Sequence, residues 1–196
     1  AVGGHIPRFL LKAAARTHEA HRGIRFYWHN GDATDVSERL QHGTLDFAVL
    51  LQPVDVVRYD FVSLPDVARW GALVPVGGEF AGRNVLTADD LKRVPLAINH
   101  REGLQREFSL WAGSDTDEFD VSATYNVLNG SPTPFVTSGL GCVVTTDDHL
   151  DGDESADVRF LPLDPPLETR CALVYRRHAA LSKSAAIFLE QVNRSL

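Results

Sequence analysis

The stretch FVTSGLGCVV, residues 135–144, decides how this chain reads. Glycine, one residue, glycine and then an apolar run suggest a phosphate-gripping loop. A dinucleotide loop, however, runs strand, glycines, helix, so that phosphate meets a helix N-terminus. Here the order is reversed. Ser131 and Pro132 form an N-cap and first-turn pair. The helix they open runs to about Ser138, and GCVVTT then reads as a strand. Gly139 is expected as a helix C-cap and Gly141 as a close-packing position entering the strand. The third glycine of the dinucleotide pattern is missing, since position 144 is Val.

The same order recurs in LQHGTLDFAVL, residues 40–50: helix end, glycine, buried strand. Working outward, IPRFLLKAAARTHEAHRG (6–23) carries Ile6, Phe9, Leu10, Ala13 and Ala14 at helical spacing, with Pro7 suited to the first turn. IRFYWHN (24–30) reads as a strand and ATDVSERLQHG (33–43) as a helix. LDFAVLL (45–51) reads as a strand too apolar to be half exposed. Further on, RWGALVPV (69–76) is a strand and Thr87 with Asp90 resembles a capping box. PLAIN (95–99) is a strand, EGLQREFSLWAG (102–113) a helix and VSATYNV (121–127) a strand. LETRCALVYRR (167–177) is a strand, and the helix after it is capped by Ser182. Each half therefore alternates β and α units, which predicts an α/β fold with parallel-rich sheets flanked by helices. The second half opens with a strand before its long helix. The first half has only Ala1–Gly4 in that place, so the pattern predicts a strand ahead of Ala1.

Composition narrows the function. The 196 residues are 44% hydrophobic and 23% charged, ordinary for a globular protein, and the formal charge is −7. That charge argues against a large nucleic-acid surface and against a membrane-surface role. No apolar run approaches the roughly 20 residues of a membrane-spanning helix. Cys142 and Cys171 both lie in apolar strand-like runs and read as buried thiols, although sequence alone leaves a disulfide open. His18, Glu19 and His21 have the wrong spacing for a zinc helix. The acidic run DDHLDGDESAD (147–157) does not match a calcium loop. No nucleophile elbow or Walker loop is present, and no cofactor is implied.

Together, IPRFLLKAAARTHE, VSERLQHGTLDFAVL, LTADDLKRVPLAI, FVTSGLGCVVTT, VRFLPLD and LVYRR…LSKSAAIFLEQV resemble, in this order, the effector-binding domain of LysR-type transcriptional regulators. The resemblance covers essentially the whole chain. It implies a type II periplasmic-binding-protein-like fold, with two lobes joined by two crossover strands, GALVPVG and TRCALVY. Lobe I would be residues 1–74 and 173–196, and lobe II 75–172. It implies a non-catalytic, cytoplasmic sensor that takes a small anionic metabolite in the inter-lobe cleft. The signal would pass to an N-terminal winged helix-turn-helix that this sequence does not contain, and DNA would be touched only through that module. It further implies a homodimer or homotetramer, paired through Pro7–Ala20 and the aromatic strand Ile24–His29. A transporter's solute-binding protein is the alternative on the same fold. It would carry a secretion signal in the full gene, whereas a regulator would carry the helix-turn-helix. An enzyme on the fold would need a reactive cluster, and none is evident.

Ligands of open parallel sheets bind beyond the carboxyl ends of strands, where helices begin. Four such places are expected here: Gly3, Gly4 and His5; Gln52 with Pro53; Asn99, His100 and Arg101; and Asn129, Gly130 and Ser131. Helix starts favour an anionic group, and Arg101 can add a bidentate grip on a carboxylate. The bland counter-reading makes Ser131 an N-cap, Asn129 a turn residue and Arg101 a solvated charge.

Overall fold

The structure, a computed structural model, describes residues 7–29, 31–126, 132–147 and 156–196. The chain divides into two compact units, Ala1–Val67 with Arg170–Leu196, and Ala68–Thr169. Both divisions fall inside strands: β2 (Tyr59–Pro75) and β7 (Glu168–Arg176). The sequence placed them a little later, at 74/75 and 172/173.

Unit 1 is built from α1 (Arg8–Ala20), α2 (Ala33–Gln41), β1 (Ala48–Leu51), the first part of β2, most of β7, and α6 (Lys183–Ser195). β1 pairs antiparallel with β7, which lies next to β2. Successive residues of a strand point to opposite faces, and here both faces are covered. Val49, Cys171 and Leu173 pack with Leu10, Ala13 and Ala14 of α1 and Phe188 and Val192 of α6. Ala48, Leu50, Ala172 and Val174 pack with Val36 and Leu40 of α2. This two-sided burial is why LDFAVLL carries no polar alternation. α2 is capped by Asp32, whose carboxylate accepts the Asp35 N–H at 2.8 Å. α6 is capped, as expected, by Ser182, which accepts the Ala185 N–H at 3.1 Å.

Two expectations fail in unit 1. Residues 24–29 join no ladder among the described residues. The side chains do alternate: Phe26 meets Phe188 edge-on at 5.2 Å and Trp28 at 6.2 Å, while Tyr27 is 80% exposed and stacks towards His29. Alternation predicts an extended backbone, but a strand also needs a neighbouring backbone to pair with. Conversely, β2 begins ten residues before the expected RWGALVPV. Most residues from Asp60 to Val67 are exposed or half-exposed, so its first half carries little apolar signal.

Unit 2 contains the rest of β2, α3 (Ala88–Leu91), β3 (Leu96–Asn99), α4 (Glu102–Ala112), β4 (Val121–Tyr125), α5 (Thr133–Thr137), β5 (Cys142–Thr146) and β6 (Val158–Pro162). β3 pairs parallel with both β4 and β5, whereas β2 pairs antiparallel with β5 and β6. The sheet is therefore mixed. Leu73, Ala97, Val143 and Val158 pack with Val136 of α5 on one face. Leu104 and Phe108 of α4 are buried, with Phe108 against Phe119 at 5.1 Å. The Thr87–Asp90 capping box is present in both directions. Gly139 (φ +78°) ends α5 in the left-handed region, and Gly141 (φ +140°) sits against Pro95, as the sequence predicts. Pro132 occupies the cap position of α5, while Ser131, expected there, lies outside the described residues.

Candidate functional site

Parallel strands end on the same side, so β3 and β4 deliver Asn99 and Tyr125 together, paired in register. The turn that follows β3 is held to the end of β4 by a dense set of bonds. The His100 N–H donates to the Tyr125 carbonyl at 2.8 Å, and the His100 ring Nδ1 lies 3.2 Å from the same oxygen. Asn99 Nδ2 donates to the Asn126 carbonyl at 3.2 Å, and Asn99 Oδ1 accepts the Arg101 N–H at 2.9 Å. From α4, Gln105 Nε2 reaches back to the Asn99 carbonyl at 3.0 Å. Tyr125 is itself anchored, its hydroxyl donating to the Val144 carbonyl at 2.6 Å.

Arg101 is the cap residue of α4, and its carbonyl accepts the N–H groups of Leu104 and Gln105. A cation at a helix N-terminus opposes the helix dipole. The side chain is also half-buried, and that burial pulls the guanidinium below its ordinary pKa. Both effects weigh against a charge at that position.

The other expected residues fall as follows. Gln52, at the carboxyl end of β1 in unit 1, receives its backbone bond from the ladder side: its N–H donates to the Arg170 carbonyl at 2.9 Å. Its side chain donates to Ser63 Oγ at 2.8 Å. Gly3, Gly4, His5, Asn129, Gly130 and Ser131 lie outside the described residues, as does most of the acidic run. The structure thus brings Asn99, His100 and Arg101 together with Tyr125 and Asn126. Sequence reasoning missed Gln105, Ser63 and the Tyr125 and Asn126 carbonyls. Gln105 was within reach of it, standing four residues after Arg101 on the helix that Arg101 opens.

Cys142 and Cys171 form no disulfide and are buried. Burial, with the Glu79 charge adding to it, pushes the Cys142 thiol up to about 11, far from nucleophilic use. His18 is engaged with the Ile24 carbonyl at 2.8 Å. Among the described residues no group of His, Cys, Asp or Glu is placed to hold a metal, and no helix is long and apolar enough to cross a membrane.

No curated protein matches the sequence. Among solved structures, HinK, a LysR family transcriptional regulator from Pseudomonas aeruginosa, superposes with a TM-score of 0.73 at 20% identity. The match covers 97% of this chain but only 66% of HinK, so the chain spans just under two thirds of that regulator. The effector-binding domain of QuiR in complex with shikimate gives 0.81 at 11% identity, covering 98% of this chain and 92% of that one. A reduced form of OxyR from N. meningitidis gives 0.70 at 18%, covering 99% and 92%. Such identities speak for the fold, which is the type II periplasmic-binding-protein-like fold of these effector-binding domains. The family itself is settled by sequence: residues 2–196 match the LysR substrate binding domain, and the chain belongs to that family.

Proposed function

We propose that this effector-binding domain senses a small anionic metabolite, gripped at Arg101, and passes its presence to the DNA-binding module of its regulator. The observation that carries the reading is the Asn99–Arg101 turn. It puts a half-buried cation at a helix start, beyond the carboxyl ends of two parallel strands. Gln52, at the end of β1, is proposed as a contact on the same positional ground, and Gly3, Gly4, His5 and Asn129–Ser131 on sequence order alone. Shikimate, which QuiR binds, is a carboxylate. The transporter alternative loses its support because the chain belongs to a family of regulators.

The domain acts without catalysis, by shifting between conformations that the effector binds unequally. With a formal charge of −7 it leaves DNA contact to another part of the regulator. It works in the cytoplasm as a homodimer or homotetramer. The exposed aromatic segment 24–29 and α1 supply the pairing surface.

A ligand that binds only the folded state raises the melting temperature. The test is a thermal-shift screen of shikimate, benzoate, simple carboxylates and amino acids on wild type and Arg101→Ala. Hits should lose about 1.5–3 kcal/mol of affinity in the variant, the scale of hydrogen bonds to a charged group. The apo fold should hold, because Arg101 follows β3 rather than lying within it. Equal stabilisation of both proteins removes Arg101 from the site.

A further inference from the structure

The His100 ring adds a chemical preference to this site. Its Nδ1 lies 3.2 Å from the Tyr125 carbonyl oxygen. A carbonyl oxygen only accepts, so the bond requires the proton on Nδ1. In the neutral ring Nε2 is then an unprotonated acceptor. The anchor is a firm one: the same oxygen takes the His100 N–H at 2.8 Å, and Tyr125 is tied to β5 through its hydroxyl. His100 is exposed and adjoins Arg101. Arg101 and the backbone N–H groups at the start of α4 can only donate. The turn therefore pairs donors suited to an anion with one acceptor suited to a hydroxyl or amino group.

We infer that His100 selects effectors bearing a hydroxyl or amino donor near the anionic group, so that the natural effector is a hydroxy acid or an amino acid rather than a plain carboxylate. The inference rests on the effector reading above.

Two measurements on the full 196-residue chain test it. The first is nitrogen–proton NMR of the histidine rings above neutral pH, with His100 assigned by its loss in His100→Gln. The Nδ1-protonated tautomer is expected, and an Nε2-protonated ring overturns the inference. The second is NMR titration with matched probes: butyrate against 2- and 3-hydroxybutyrate and 2-aminobutyrate, and benzoate against 3- and 4-hydroxybenzoate. In at least one set the probe carrying the donor should bind roughly two- to tenfold tighter, the worth of one hydrogen bond. That advantage should vanish in His100→Phe, which keeps the ring shape and, being an exposed change, the fold. Equal binding within every set, with all of it weakened by Arg101→Ala, overturns the His100 inference and leaves the anion site standing. Failure of every probe to perturb either residue overturns the anion site and this inference with it.

Discussion

In unit 1, Gly43 follows α2 and leads to β1. In unit 2, Gly139 and Gly141 follow α5 and lead to β5. The two stretches read alike, yet the glycines answer different demands. Gly43 (φ +73°) and Gly139 (φ +78°) both turn the chain out of a helix through the left-handed region. A Cβ on Gly43 would meet the tip of the Arg176 side chain at 3.2 Å, which can move aside, and one on Gly139 would meet nothing. A Cβ on Gly141 would lie 2.4 Å from the Pro95 carbonyl oxygen. That oxygen accepts the Cys142 N–H at 2.8 Å, so the first bond of β5 forms right beside the glycine. The cause is position in the sheet. Among the described residues β1 pairs with β7 alone, at an edge, whereas β5 lies between β2 and β3 and is buried along its whole length. An edge strand can be approached from one side, but a strand inserted between two others needs its entrance bare.

Substitution of these glycines tests that difference. Gly141→Ala should have the largest effect, about 3 kcal/mol or more, because a backbone clash adds to positive-φ strain. Urea unfolding measures it, and a loss below about 1 kcal/mol would show the two turns to be equivalent after all. Gly43→Ala and Gly139→Ala should each cost about 1–2 kcal/mol, the left-handed penalty for a side chain. Asparagine, which tolerates that region, should recover part of this loss at both positions and none at Gly141.

The helix starts extend the comparison to a smaller effect. Asp32 of unit 1 caps α2 by accepting the Asp35 N–H, while Asp90 of unit 2 is buried within a capping box and meets Arg83 at 3.0 Å. Burial alone would raise the Asp90 pKa. The Thr87 backbone and hydroxyl bonds and the Arg83 charge outweigh it, and the net shift is downward from 3.8. A depressed carboxyl contributes stability that is present above the unfolded pKa and lost as pH falls through the folded one. Asp90→Asn should therefore cost about 1 kcal/mol above roughly pH 5, with the gap to wild type closing below about pH 4. A gap that stays constant down to acid unfolding would assign the loss to packing rather than to charge.

Much of the fold was legible in the sequence where signals lie within a turn of the residue they govern. Asp90 stands three residues from Thr87, and Ser182 three from Ala185. The apolar face of α1 repeats at helical spacing. The site was half legible. Asn99–Arg101 stood out because a strand end followed by a helix start is a local pattern. The Tyr125 and Asn126 carbonyls that hold the turn did not, since every residue has a carbonyl and only the β3–β4 register selects these two. The exposed first half of β2 escaped for lack of apolar contrast. The segment 24–29 misled because alternation reports which way side chains point, not whether a backbone lies alongside.

The sequence by itself determined most of the alternation of elements, the glycine stops at Gly43 and Gly139, the Thr87 and Ser182 caps and the family, because sterics and capping bonds act over three or four residues. Tertiary structure alone decided which strand is inserted between others, which aspartate is buried, and which carbonyl oxygen the His100 ring meets. Each of those depends on backbone groups brought together from far apart in the chain, such as His100 and Tyr125, and no local pattern records which of them will meet.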